Sequence, residues 1–96
     1  MEILVSDDVS TETASGPRRL RKVAKICLAH GQRVQKSVFE CSLNEGQYEQ
    51  LEDQLVRTIN PLEDNLRIYR LREPRSRYVR SFGIDPWTDF NSPLVL

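Results

Sequence analysis

Apolar side chains recur along the chain with two periods, which together predict strands alternating with helices. Strand one is predicted at residues 2–8, where a short, β-forming apolar run leads into two carboxylates. After a polar, turn-rich segment, four apolar residues have the i, i+3, i+4, i+7 spacing of one helical face: Leu20, Val23, Ala24 and Cys27. Pro17 suits the first turn of this helix, and Gly31 is well placed to end it in the left-handed conformation.

The segment 33–43 is extended in character, but its apolar pattern breaks in the middle. Val38 and Phe39 are adjacent β-formers, and a regular strand cannot place both of them on one face. We therefore expect a kink, a bulge or a tight reversal near Ser37. The segment is then either one bent strand or two short ones.

A second helix follows, with polar signals at both of its ends. Asn44 with Gln47 resembles a capping box at its start, and Asn60–Pro61 is expected to end it. Its predicted buried stripe consists of Tyr48, Leu51, Leu55 and Ile59. The remaining predictions are a strand at 65–71, a basic loop at 73–77 and another short strand at 78–83.

The predicted order, β-α-β(β)-α-β, is that of an α+β domain, and a ferredoxin-like sandwich with both helices on one sheet face is the economical architecture. This β-α-β-β-α-β domain is expected to take up residues 1–83. Residues 84–96 form a C-terminal extension, with an extra strand at 94–96 that we expect to pair with a partner subunit. The second sheet face needs a cover, and a second copy of the chain is the simplest one, so we expect a homodimer.

Charge is balanced overall but segregated along the chain. The 14 basic and 14 acidic residues cancel, so no global field draws the protein to nucleic acid. Thirteen of the basic residues fall in the windows 18–36 and 67–80, and the first window contains no acid. Such segregation produces either a basic face on a neutral protein or ordinary solvated surfaces.

Other reactive side chains are few. Cys27 and Cys41 lack a CxxC spacing and are predicted to be small buried hydrophobes in a reducing compartment. The single histidine, His30, argues against a zinc site and against a histidine-activated nucleophile. The sequence shows no signal peptide and no long apolar run, so we expect a cytoplasmic protein without membrane contact.

The end of strand one carries the candidate chemistry. Asp7 and Asp8 follow the apolar run directly, and a carboxylate at such a strand end can hold a hard cation such as Mg²⁺ beside phosphate oxygens. One interpretation is therefore metal-assisted chemistry on a phosphodiester, and the other is a solvated strand end that leads into a turn. Successive strand residues point to opposite faces, so Asp7 is not expected to share a site with Asp8.

Three features occur together: Asp8 at the strand end, arginines at the start of helix one, and the run GQRVQKSVFEC at residues 31–41. In this combination the chain resembles the CRISPR-associated protein two family over its whole length. Residues 8–10 and 31–41 are similar to that family's two main motifs, and the tail is similar to members found with type I-C systems. One position departs from the family pattern, because Asp7 stands where Tyr is usual and removes a phenol that could position substrate.

The resemblance implies a homodimer in which Asp8 of each subunit lies near the two-fold axis and holds a divalent ion. Mg²⁺ is the expected ion, and Mn²⁺ is the alternative. By the same resemblance, three arginines would stabilise phosphate charge: Arg18, Arg19 and Arg33. Phe39 would pack near the site or stack on a base, and membership of the plain core is its alternative role.

Two functions follow from the resemblance, and they do not exclude each other. The first is a metal-dependent endonuclease that cuts RNA or double-stranded DNA. The second is a non-catalytic, DNA-holding subunit that bridges two dimers of the CRISPR integrase during spacer acquisition. The second function is favoured by a basic loop whose arginines could hold a duplex by its backbone: Arg72, Arg75, Arg77 and Arg80.

Overall fold

The computed structural model describes residues 1–87 of the chain. Its elements are β1 (Glu2–Asp8), α1 (Gly16–His30), β2 (Gly31–Gln35), β3 (Val38–Ser42), α2 (Glu45–Thr58), β4 (Asn65–Leu71) and the short α3 (Arg75–Tyr78). The sheet order is β2-β3-β1-β4, and every neighbouring pair is antiparallel. This is the ferredoxin-like α+β arrangement expected from the sequence. None of the helices in this part of the chain is long and apolar enough to cross a bilayer.

The two long helices and one side of the sheet enclose a single apolar core. Because side chains alternate along a strand, β1 sends Ile3 and Val5 into this core, where they are 1% and 0% exposed. We call this side of the sheet the helix face and the other side the open face. The helices contribute Val23, Cys27, Leu51 and Leu55 to the core, and β3 contributes Phe39 and Cys41.

The expected break near Ser37 is a reversal between two short strands. β2 and β3 form a hairpin, and its register shifts between Arg33 and Gln35. Val38 and Phe39 both belong to β3 and alternate normally, with Phe39 buried on the helix face and Val38 on the opposite side of the strand. The prediction of two short strands, rather than one bent strand, is therefore the correct alternative.

Gly31 is needed for a reason other than the one predicted. Its φ of −171° is extended, so the residue does not end α1 in the left-handed conformation. Instead, α1 runs directly into β2, and a Cβ on Gly31 would lie 2.1 Å from the carbonyl oxygen of Glu40 and 2.7 Å from Sγ of Cys41. The glycine therefore allows β2 to approach β3 closely.

The start of α2 is the predicted capping box. The Asn44 side chain accepts a hydrogen bond of 2.8 Å from the Gln47 backbone, and the Gln47 side chain accepts one of 3.0 Å from the Asn44 backbone. Leu51 and Leu55 are fully buried, while Tyr48 and Ile59 pack at the edge of the core. The helix ends at Thr58, shortly before the Asn60–Pro61 stop.

The predicted strand at 78–83 is wrong. Arg75–Tyr78 is instead a single helical turn, so Tyr78 belongs to α3, and residues 79–87 form no strand. Gly83 has a φ of +89°, which interrupts an extended path, and Phe82 is 80% exposed with no sheet to pack against. The predicted strand at 94–96 lies outside the described residues.

Candidate active site

Asp7 and Asp8 lie side by side in sequence but on opposite faces of the sheet. Asp7 points to the helix face and is 6% exposed, whereas Asp8 is exposed on the open face. In β4 their partners are Leu66 and Asn65, respectively. The expectation that Asp7 cannot join Asp8 in one site is confirmed, because the pleat of β1 separates the two carboxylates.

Asp8 opens onto a polar cleft of about 510 Å³. The walls of the cleft are the β1–α1 loop and the α2–β4 loop, and they include Ser10, Glu12, Glu63 and Asp64. Asp8 takes part in none of the ion pairs formed among residues 1–87. Its carboxylate is therefore available to a ligand from solvent.

Arg19 does not offer its guanidinium to this cleft as a free phosphate ligand. It binds Asp64 through Nε at 2.8 Å and Nη2 at 3.1 Å, Glu63 through Nη2 at 2.8 Å, and Ser15 through Nη1 at 2.7 Å. The hydrogen bond that Arg19 donates to Asp64 is the main reason that the pKa of Arg19 is raised, and the same bond lowers the pKa of Asp64. The structure thus gives Arg19 an internal partner that the sequence did not indicate.

One chain supplies too few ligands for a complete metal site. Within residues 1–87, no three carboxylate, histidine or cysteine side chains converge as a metal site would require. Asp64, a buried carboxylate in the cleft wall, already accepts four hydrogen bonds. Asp8 does fit the first ligand of Mg²⁺, since it is an exposed oxygen donor and Mg²⁺ takes one or two carboxylates, waters and phosphate oxygens.

Asp7 is a buried carboxylate whose pKa is shifted by its surroundings. Burial raises its pKa to about 6, while the positive charge of Arg33 opposes this shift and the charge of Asp8 adds to it. Its Oδ1 atom and the Nε atom of Arg33 are both buried without a hydrogen-bond partner among residues 1–87. Asp7 therefore lowers the stability of the helix face when it is ionised, and it does not contribute to the Asp8 site.

Arg33 lies on the helix face, with Asp7 and not with Asp8. Its guanidinium carbon is 5.1 Å from the ring centroid of Phe39 and 5.1 Å from that of Trp87, so it lies close to two aromatic rings. The Phe39 side chain is 0% exposed and belongs to the core. Stacking of Phe39 on a base would require this ring to be uncovered. The contact with Trp87 had no local signal in the sequence.

The other predicted arginines are spread over two further surfaces. Arg18 lines a groove between α1 and α2, where it neighbours Lys22, Lys25 and Arg57. Arg75 forms ion pairs with Glu2 at 3.2 Å and Glu40 at 3.4 Å.

The arginines on either side of Arg75 in the basic loop are more exposed than Arg75. Arg72 lies 5.6 Å from the ring of Tyr78, and Arg77 is exposed on α3. None of the predicted arginines therefore lines the Asp8 cleft, and Arg19 is connected to it through its bonds to Glu63 and Asp64 in the cleft wall.

Fold and site together define a small ferredoxin-like protein with a strand-end aspartate on an open sheet face. The family model described as CRISPR associated protein Cas2 matches residues 1–79. The chain belongs to the Cas2 family, and the resemblance noted in the sequence is confirmed.

Relatives and solved structures agree with this assignment. The chain is 57% identical over 96 residues to "CRISPR-associated endoribonuclease Cas2 1" of Moorella thermoacetica, covering 100% of both chains. It is 43% identical over 95 residues to "CRISPR-associated endonuclease Cas2" of Halalkalibacterium halodurans, covering 99% of both. The crystal structure of Streptococcus pyogenes Cas2 at pH 6.5 superposes with a TM-score of 0.78 at 43% identity, covering 86% of this chain and 100% of that one.

Proposed function

We propose that this Cas2 protein is a metal-dependent endonuclease in which Asp8 of two subunits holds one divalent ion. The observation that carries the proposal is the exposed Asp8 carboxylate, which ends a central strand on the open face and lies in a polar cleft. Relatives at 57% and 43% identity are named endoribonuclease and endonuclease, which supports a phosphodiester substrate. RNA is the first substrate to test, and double-stranded DNA is the second.

A second subunit supplies what one chain lacks. A site with one free carboxylate is a poor metal site, and two facing carboxylates make a credible one. The open face is also suited to cover by another copy, since Tyr69 is 43% exposed and Leu4 is only half-buried. We therefore propose a homodimer through this face.

The residues of this chain would have different roles at the site. Asp8 holds the ion, which is expected to be Mg²⁺ or Mn²⁺; when bound, it polarises the phosphodiester and lowers the pKa of a water molecule. Arg19 keeps its carboxylate partners and shapes the cleft. Arg18 and Arg33 are proposed to contact phosphates that lie outside the Asp8 cleft, because neither side chain lines it.

A non-catalytic role in spacer acquisition is the second candidate. The observation in its favour is the exposure of Arg72, which precedes α3, and of Arg77 on α3, in a segment that could follow a duplex backbone without reading bases. In this role the dimer would bridge dimers of the CRISPR integrase and hold the captured DNA. The two roles share the dimer but differ in their need for Asp8.

Cleavage of labelled RNA and duplex DNA, with and without Mg²⁺, tests the first role. Asp8→Asn should abolish cleavage and leave the circular dichroism spectrum unchanged, because the side chain is exposed. Asp7→Asn is the matched control, one residue away on the other face, and should retain cleavage. Cleavage by Asp8→Asn at the wild-type rate would exclude this site. Retained binding to duplex DNA and integrase by an inactive wild-type protein would favour the second role.

A further inference from the structure

A fully buried carboxylate joins the two loops that form the cleft around Asp8. The side chain of Asp64 is 0% exposed. Its Oδ1 atom accepts from the Ser10 backbone at 3.0 Å and from Arg19 Nη2 at 3.1 Å. Its Oδ2 atom accepts from Arg19 Nε at 2.8 Å and from the Asn60 backbone at 2.8 Å. We call this group of four residues the Asp64 clamp.

The clamp connects the loop that follows Asp8 to the strand that pairs with Asp8. Ser10 is two residues beyond Asp8, on the path that leaves β1. Asp64 directly precedes Asn65, which is the register partner of Asp8 in β4. The hydrogen bond from Ser10 to Asp64 therefore ties the exit of β1 to the entry of the strand that lies beside Asp8.

The start of α1 fixes Ser10 from the other side. A Cβ on Gly16 would lie 2.0 Å from the Ser10 carbonyl oxygen, so only glycine allows the helix to approach the loop this closely. Arg19, one turn further along α1, forms a two-bond fork with Asp64. The loop that follows Asp8 is thus held between α1 and the α2–β4 loop.

The charges of the clamp are matched within it. Asp64 meets the Arg19 guanidinium and two backbone amides, which together occupy the acceptor sites of its two oxygens. Arg19 also binds Glu63, which in turn accepts from Thr13 in the β1–α1 loop at 3.3 Å. Such a saturated network resists movement, and it offers no ligand position of its own.

We infer that Asp64 is a positioning residue for Asp8: through Arg19 and the Ser10 amide, it fixes the loop that orients the Asp8 carboxylate toward its metal ion and substrate. The inference rests on the proposed function. Residues that orient a metal ligand typically change metal affinity or activity by roughly 10–100-fold when they are replaced. A purely structural Asp64 would change the stability of the protein alone.

Asp64→Asn is the informative substitution, because it preserves size while converting one acceptor oxygen into a donor that faces existing donors. In folded protein, we expect roughly 10–100-fold weaker Mn²⁺ binding by calorimetry and a comparable fall in kcat. We also expect faster hydrogen exchange at the Ser10 amide. Arg19→Lys keeps the charge but loses the two-bond fork, so it should produce the same changes to a smaller extent. It provides a second test of the clamp if Asp64→Asn does not fold.

The exposed pair Arg57–Asp53, with an N···O distance of 3.1 Å on α2, provides the control. Asp53→Asn removes an arginine partner far from the cleft and should leave Mn²⁺ affinity, kcat and Ser10 exchange at wild-type values. If Asp64→Asn and Arg19→Lys lower the melting temperature but retain wild-type Mn²⁺ affinity and kcat, the positioning role is overturned while the proposed function stands. If the wild-type protein neither binds Mn²⁺ nor cleaves, the proposed function fails and the positioning role fails with it.

Discussion

The two faces of the sheet place two identical carboxylate groups in different environments, one buried and one exposed. On the helix face, β1 packs Ile3 and Val5 at 1% and 0% exposure, and Asp7 shares this apolar environment. On the open face, Tyr69 is 43% exposed and Asp8 reaches solvent. The consecutive carboxylates of Asp7 and Asp8 therefore differ only in the side of the strand on which they lie.

This difference separates stability from activity in the molecule. A carboxylate on the helix face loses its hydration without gaining a full set of partners, since Oδ1 of Asp7 has no hydrogen-bond partner among residues 1–87. A carboxylate on the open face keeps its hydration and remains available to a cation. Substitutions on the helix face should mainly change the free energy of unfolding, and those on the open face should mainly change association and chemistry.

The largest expected effect is the loss of the Phe39 side chain from the helix face. Phe39→Ala should lower the free energy of unfolding by about 3–5 kcal/mol, because it removes a large, fully buried ring and leaves a cavity. The matched change on the open face, Tyr69→Ala, should lower it by less than about 1 kcal/mol when measured on monomeric protein. Urea denaturation of both variants at low protein concentration measures the difference. Equal losses would show that the open face is also part of the packed core.

The sequence was sufficient for features that depend on neighbouring residues. The helical spacing from Leu20 to Cys27 located α1, and the adjacent β-formers Val38 and Phe39 located the reversal between β2 and β3. The alternation along β1 is sufficient to place Asp7 and Asp8 on opposite faces. The capping box of α2 formed as expected, since both of its partners lie within four residues.

Features that depend on distant residues were not predictable in this way. Arg19 looked like a free phosphate ligand, yet its partner Asp64 is 45 residues away and comes close only when α1 packs beside the α2–β4 loop. Arg75 likewise meets Glu2, 73 residues away. An arginine-rich window shows where charge is available, but only the fold determines which of these charges are already paired.

The second largest effect should come from removing the charge of Asp7. Its pKa in the folded protein is about 6, against an ordinary value of 3.8, chiefly because of burial. The folded state therefore holds a proton that the unfolded state has released, and this contribution to stability is present below about pH 4 and is lost as pH rises through about 6. Asp7→Asn should raise the free energy of unfolding at pH 8 by up to about 3 kcal/mol, with no gain near pH 4.

Denaturation curves at pH 4, 6 and 8 measure this dependence. The exposed substitution Glu49→Gln on α2 serves as the control and should give no such trend. A gain for Asp7→Asn that is the same at all three pH values would mean that the charge is not the cause. A loss at pH 8 would mean that the attraction between Asp7 and Arg33 outweighs the burial of the carboxylate.

A smaller effect is expected on dimer formation through the open face. Wild-type protein should be dimeric at low micromolar concentration, and Tyr69→Glu should weaken dimerisation at least about tenfold, because a charge must lose its hydration to enter the interface. Val56→Glu is the matched control, because Val56 is 58% exposed but lies on α2, away from the open face. Sedimentation velocity over a concentration series distinguishes the two variants. Wild-type protein that remains monomeric would remove the basis for a shared Asp8 site.

The smallest effect concerns the arginines of α3 and tests whether exposure or sequence clustering decides which of them bind DNA. Arg77 is exposed, so Arg77→Ala should weaken duplex binding at every sequence alike and reduce the slope of log affinity against log salt by about 0.9, the value for one phosphate contact. Arg75 is already paired with Glu2 and Glu40, so Arg75→Ala should change the slope less, and the double variant should resemble Arg77→Ala. Titrations of a duplex at several salt concentrations measure all three slopes. A decrease of about two units in the double variant would mean that Arg75 leaves its carboxylate partners to bind DNA, and an unchanged slope in every variant would place the DNA-holding surface elsewhere.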